Sequence, residues 1–229
     1  MVMEAREDAL QDRDYWNVTP KQAVAVQERL RGAVSLEDDF GPIETVAGVD
    51  VAIGRGWKEG KCGIVVLSFP ALEVVESRTH TAEVSFPYVP GLLAFREVPI
   101  FLETYELLRI EPDLVFFDGH GYAHPRRFGL ACFAGILVDK PAIGCAKSKL
   151  IGNYREPPVE AGSVSALTSD DGERIGDVVR TKTGVKPMFI SPGHRISFDT
   201  ATQFAMQCTR GYRIPEPTRQ AHILVSQPT

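Results

Sequence analysis

Between Phe86 and Leu108 the chain reads as one helical stretch that turns an acid toward its own apolar side. Projected at about 100° per residue, Glu97 falls near the middle of a stripe made by Leu93, Ala94, Ile100, Phe101, Thr104, Tyr105, Leu107 and Leu108. Glu103 and Glu106 project to the opposite side, where solvated acids belong. A carboxylate facing a core is costly unless a cation or a strong donor meets it, so the fold has to provide a polar site under this helix. A structural ion pair and a functional carboxylate both satisfy that demand, and the helix alone does not separate them. Pro99 marks a start or a kink in the helix, because proline fits the first turn and disturbs the interior.

With 229 residues the chain can bury one full core and does not require a second. An apolar content of 44% and a charged content of 24% are those of an ordinary soluble globular protein. No apolar run approaches a membrane span, and the first residues lack the apolar centre of a signal peptide. Cys62, Cys132, Cys145 and Cys208 are scattered through apolar segments, which reads as buried thiols in a reducing compartment, hence cytoplasm. The net charge of −5 argues mildly against a nucleic-acid partner. Residues 1–40 hold nine acids and five bases, however, so the excess is local and the remainder is close to neutral.

Thr19-Pro-Lys-Gln22 is a capping box with proline at the first helical position, and it opens a helix running to about Gly32. Residues 1–18 are expected to be a poorly ordered arm and 19–229 a single domain. Three strand-like runs follow, Glu44–Ile53, Cys62–Phe69 and Leu72–Thr79, joined by the loop Gly54–Gly60 and a turn at Pro70-Ala71. Short connections of this kind favour antiparallel neighbours. Beyond the Glu97 helix, a strand over Asp113–Phe117, a helix over Phe128–Val138 and a strand over Ala142–Ala146 alternate as parallel β-α-β units. Gly152–Gly172 is a looser Pro/Gly/Ser stretch. Strands over Arg174–Thr181 and Lys186–Ile190 precede a helix from Ser197 to Arg210, stopped by Gly211. The expected class is therefore α/β, with three antiparallel strands followed by parallel ones in a mixed sheet flanked by helices.

Two further acids sit where strands dislike them. Asp50 interrupts Val46-Ala-Gly-Val-Asp-Val-Ala52, and Asp118 closes the apolar run Asp113–Phe117 at the carboxyl edge, where open α/β sheets place ligands. Together with Glu97 they predict an oxygen-rich pocket suited to Mg²⁺ or Mn²⁺. Asp118 before Gly119 is also an ordinary turn cap, so its weight comes from convergence with the others. The loop Asp118-Gly-His-Gly-Tyr-Ala-His-Pro-Arg-Arg127 gathers His120, His124, Arg126 and Arg127 between glycines that allow close backbone approach. Its glycines and Pro125 make it a loop without a nearby cysteine, which disfavours zinc. Lys147 ends the next strand, within reach of an anion held at Asp118. Phe86-Pro-Tyr-Val-Pro-Gly91 stiffens Tyr88 between prolines, as in wedges that pry bases apart, though a turn with a buried tyrosine has the same pattern. A short helix, Arg219–Val225, is capped by Thr218 and carries His222, which on pattern alone reads as a packing residue.

These segments resemble the endonuclease V family of inosine-directed nucleases. The motifs are Ala47–Asp50, Phe86–Glu97, Asp113–Gly121, His124–Arg126, Ile143–Lys147, Ser191–His194 and Arg213–Arg219, in family order over roughly residues 20–225. The resemblance implies a ribonuclease-H-like fold and a catalytic Mg²⁺, replaceable by Mn²⁺, on Asp50 and Asp118 with Glu97 completing the cluster. It also implies that His124, Lys147 and His222 matter for activity. Tyr88 within Pro87, Val89 and Pro90 would be the strand-separating wedge, and Gly119, His120 and Gly121 would line the hypoxanthine pocket. The implied partner is inosine-containing DNA, with no membrane and no obligate protein partner. The implied reaction is incision at the second phosphodiester 3′ of deoxyinosine, leaving 3′-hydroxyl and 5′-phosphate ends, in DNA repair. Inosine-containing RNA is the alternative substrate, and a non-catalytic nucleic-acid-binding protein is the alternative class. Cys145 stands where the family has valine, and 152–172 is where the family varies.

Overall fold

The apolar runs pair into one sheet. β1 (Thr45–Ile53), β2 (Glu59–Ser68) and β3 (Val74–Glu83) form an antiparallel meander. β4 (Leu114–Phe117) adds to the other edge of β1 in parallel, and β5 (Ala142–Ala146) adds in parallel to β4. β6 (Val164–Thr168), β7 (Arg174–Val179) and β8 (Met188–His194) complete an eight-stranded sheet of order β3-β2-β1-β4-β5-β8-β7-β6. Those last three strands join antiparallel, β8 against β5 and then back through β7 to β6. This computed structural model describes residues 13–54 and 58–227. Arg55–Trp57 of the expected loop and residues 1–12 of the expected arm lie outside the described residues.

Five α-helices cover the sheet: α1 (Pro20–Leu30), α2 (Ala94–Tyr105), α3 (Leu130–Val138), α4 (Phe198–Gln207) and α5 (Glu216–Ser226). The two-residue period of the strands divides the core between them. Ala47, Val49, Val115 and Phe117 face the layer of α2 and α3, while Val46, Leu114 and Phe116 face the layer of α4 and α5. β4 and β5 are buried along their whole length, as parallel strands covered on both faces must be. Phe95 and Phe133 stack edge-on in the first layer, each worth about 1.5–3 kcal/mol of burial.

Several boundaries differ from expectation for local reasons. The helix that carries Glu97 begins at Ala94, and Pro99 lies inside it. Pro87 and Pro90 remove backbone donors and Gly91 takes φ +78°, so the segment from Phe86 to Gly91 is a loop. The looser stretch contains β6, an edge strand whose side chains other than Leu167 keep contact with solvent. α5 starts two residues before Thr218, because Pro217 is tolerated in the first turn; Thr218 is buried and bonds back to the Pro215 carbonyl. The Thr19 capping box forms in both directions. Ahead of it, Arg13–Trp16 makes a 3-10 turn, and Trp16 packs against Phe95 and Phe133.

Candidate active site

The parallel pairing of β1 and β4 puts Val49 opposite Phe117, so Asp50 and Asp118 leave the two central strands side by side at their carboxyl ends. Oxygens of both carboxylates and a ring nitrogen of His222 lie within 4.8 Å of one another. Glu97 descends from α2 into the same small cavity, of about 10 Å³, which Asp50 and Asp118 also line. That volume has room for little more than one water or one small ion. Glu97 is not part of the closest trio, and His222 takes that place.

Electrostatics separate this cluster from an ordinary set of ion pairs. Glu97 has its carboxyl pushed well above the usual range, first by burial, then by the negative charges of Asp50 and Asp118, against some relief from Arg96. Asp118 is raised as well, by burial foremost, although Lys147 pairs with it and pulls the other way. Asp50 accepts from the Val51 N–H at 3.0 Å and from His222 Nδ1 at 2.8 Å. Because a carboxylate only accepts, the His222 ring donates through Nδ1, and the lone pair of the neutral ring lies on Nε2. Lys147 is placed from both sides: its ammonium is on Asp118 and its backbone carbonyl accepts from Arg213.

His222 reaches Asp50 because two glycines clear the sheet surface beneath α5. A Cβ on Gly48 would stand 1.9 Å from the Pro217 carbonyl oxygen, and one on Gly63 would stand 2.6 Å from Val225. With side chains there, the helix would ride higher and carry His222 away. Helical pattern alone made His222 a packing residue; it is in fact half-exposed, with its ring turned to the acid.

The remaining candidates form a second place. Tyr88 is 60% exposed on the loop between Pro87 and Pro90. Beside it opens a cavity of about 130 Å³ bordered by Val89, Gly91, Leu93, His120, His124 and Leu130. Burial lowers the His120 and His124 pKa values to about 4, so both rings are neutral. His124 is engaged through both nitrogens, accepting from the Arg126 N–H at Nδ1 and donating from Nε2 to the Gly91 carbonyl at 2.9 Å. It therefore braces the tyrosine loop and does not enter the acid cluster. Gly119 and Gly121 do not border the cavity. Their bare α-carbons allow close packing, since a Cβ would meet Leu130 at 2.9 Å and the Pro192 oxygen at 2.2 Å respectively.

Gln27 was missed in the sequence. Its amide is 1% exposed and donates to the carbonyls of Gly91 and Phe128 while accepting from Arg126 Nε. The signal was available: Ala23, Gln27 and Leu30 form the buried stripe of α1, so a polar group interrupts an apolar face just as Glu97 does.

Residues 28–223 match the Endonuclease V family model. The chain belongs to the endonuclease V family. It is 48% identical to the Endonuclease V of Roseiflexus castenholzii over 212 residues, covering 93% of this chain and 94% of that one. The crystal structure of Endonuclease V from Streptomyces avermitilis superposes with a TM-score of 0.87 at 44% identity, covering 92% of both chains. Endonuclease V from Ciona intestinalis, solved in complex with a 24mer DNA containing an inosine followed by a ribo-adenosine, gives 0.81 at 31% identity over 90% of this chain and 95% of that one. The mixed sheet is thus the ribonuclease-H-like fold of endonuclease V, and the chain is a hydrolase of the endonuclease class. Among the described residues, no helix is long and apolar enough to cross a membrane.

Proposed function

We propose that this endonuclease V recognises deoxyinosine in DNA and hydrolyses the second phosphodiester 3′ of it with a divalent metal, leaving 3′-hydroxyl and 5′-phosphate ends. The observation that carries the proposal is the convergence of Asp50, Asp118 and Glu97 in one cavity, with Glu97 held between like charges. The donor set fits Mg²⁺ or Mn²⁺, since it is built on carboxylate oxygens and contains no thiolate. Asp50 and Asp118 would hold the ion and Glu97 would complete the set; an ion held there would supply Lewis acidity toward the scissile phosphate and the attacking water.

The chain supplies the rest. Asp50 fixes the His222 ring through Nδ1, and Nε2 takes the proton of the attacking water. The water oxygen bonds to phosphorus as the bond to the 3′ oxygen breaks, and that oxygen leaves with the electron pair and is protonated by solvent. Lys147 Nζ stabilises the charge that accumulates on the phosphoryl oxygens. Tyr88 stands in the place of the departing base, and the neutral cavity beside it receives the hypoxanthine. The DNA assignment follows the Ciona intestinalis relative, which carries an inosine-containing DNA. Four buried free thiols fit a reducing compartment, which we assign as the cytoplasm.

The test is incision of labelled strands carrying one inosine, in DNA and in RNA form, with Mg²⁺ and with EDTA. The expected result is one product, cut one nucleotide beyond the bond next to inosine, from DNA with Mg²⁺ only. Uncut DNA in Mg²⁺, or a faster cut in RNA, overturns the assignment.

A further inference from the structure

We infer that Gln27, on α1 and remote in sequence from every catalytic motif, is a positioning residue that sets the stance of the Tyr88 loop and so governs opening of duplex DNA. The inference rests on the wedge role proposed above. The loop is gripped at both ends. At its start the Phe86 carbonyl accepts from Arg96 Nη1 at 2.8 Å. At its end the Gly91 carbonyl accepts from Gln27 Nε2 at 3.2 Å, His124 Nε2 at 2.9 Å and Arg126 Nη2 at 2.7 Å. A carbonyl oxygen has two lone pairs, so three donors from two separate segments leave it no freedom to swing. Gly91 itself takes φ +78°, and a Cβ there would stand 3.1 Å from Arg126 Nη2.

Gln27 orders one of the other two donors directly, the Arg126 side chain, and the Arg126 backbone N–H in turn holds His124. Both N–H bonds of its amide are committed, to the Gly91 and Phe128 carbonyls, and its oxygen accepts from Arg126 Nε at 2.6 Å. The amide therefore has a single allowed orientation. It ties the far end of the Tyr88 loop to the Arg126 side chain and to the backbone entering α3. Prying a base pair apart loads that loop mechanically, whereas a single strand presents an unpaired base and loads it little.

The substitution Gln27→Glu keeps the shape and the acceptor for Arg126 but turns a second acceptor toward two carbonyls. The primary measurement is the fluorescence of 2-aminopurine placed beside inosine in a duplex, with protein at saturation and EDTA present. Wild-type protein brightens the probe, and the Gln27→Glu protein brightens it at least about five-fold less. In the same preparations, incision of duplex falls at least about ten-fold more than incision of the matched single strand. In a Tyr88→Ala background the substitution adds no further duplex defect, because the loop has already lost its tip. Should Gln27→Glu fail to fold, Gln27→Met removes the same donors without a charge and is held to the same ratios.

Equal brightening by wild type and variant overturns the inference. So does an equal loss on duplex and single strand, which would assign Gln27 to the base cavity it borders. A wild type that never brightens the probe overturns it too. A wild type that brightens the probe but does not cut counts against the proposed reaction and leaves the loop assignment standing.

Discussion

Glu97 and Glu216 both lie in the first turn of a helix packed on the central strands, one on each face, and they are held in opposite ways. Glu216 is buried against a bidentate partner, Arg219, at 2.7 and 2.6 Å, with Gln220 at 2.6 Å. The Arg219 bonds hold its carboxyl below the ordinary range. Glu97 is pushed well above it, first by burial and then by two neighbouring acids. What differs is whether the chain supplies a bonded positive charge, as Arg219 does for Glu216, beyond the partial relief that Arg96 gives Glu97. Where it does, the acid anchors a helix. Where it does not, the acid is left for the cation proposed above.

That contrast can be broken most directly at Asp118. Asp118→Ala is expected to cost about 10²–10³-fold or more in incision while the protein stays folded, since it removes one of three crowded acids. A variant that cuts at the wild-type rate in Mg²⁺ ends the metal assignment. Next in size, Gly48→Ala drives a methyl into the Pro217 carbonyl, lifts α5 and parts His222 from Asp50. It should lower turnover about ten-fold or more and cost about 1–3 kcal/mol of stability, read from denaturant midpoints. By contrast, Glu216→Gln should cost a similar 1–3 kcal/mol, roughly, through the orphaned Arg219, and leave the metal requirement untouched.

The subtlest test is stability against pH. Glu97 and Asp118 have folded pKa values above their unfolded ones, so between the two the native state holds more protons than the unfolded state. In EDTA the protein should therefore lose stability as pH rises from about 4.5, the unperturbed glutamate value, toward the raised folded value. Adding Mg²⁺ should reverse the loss by binding the native state alone. Glu97→Gln should flatten the EDTA curve, and a curve as steep as wild type would mean that Glu97 is ionised and partnered already. Glu216→Gln tests the opposite sign: its stabilising bond is present at neutral pH and fades as pH falls.

The legible parts of the site were those that violate a local rule. Asp50 in a strand, Asp118 at a strand end and Glu97 in an apolar stripe each stood out against their own neighbours, and the sheet brought all of them together. His222 gave no such signal, because its place beside Asp50 depends on two glycines on other strands that let its helix settle. The grip on Gly91 was illegible for a related reason, joining residues 64 and 33 positions away through an amide and an imidazole of common type. The strands were readable through β5, where runs alternate with helices, and again at β7 and β8. β6 was not, since an edge strand buries too little to show a period.

β4 has one further consequence. It is only four residues long, all of them interior, and Asp118 stands on its last peptide. Such a post has no way to fray by itself, because releasing it means opening the centre of the sheet. On heating, the cutting activity should therefore vanish in one step with the whole molecule.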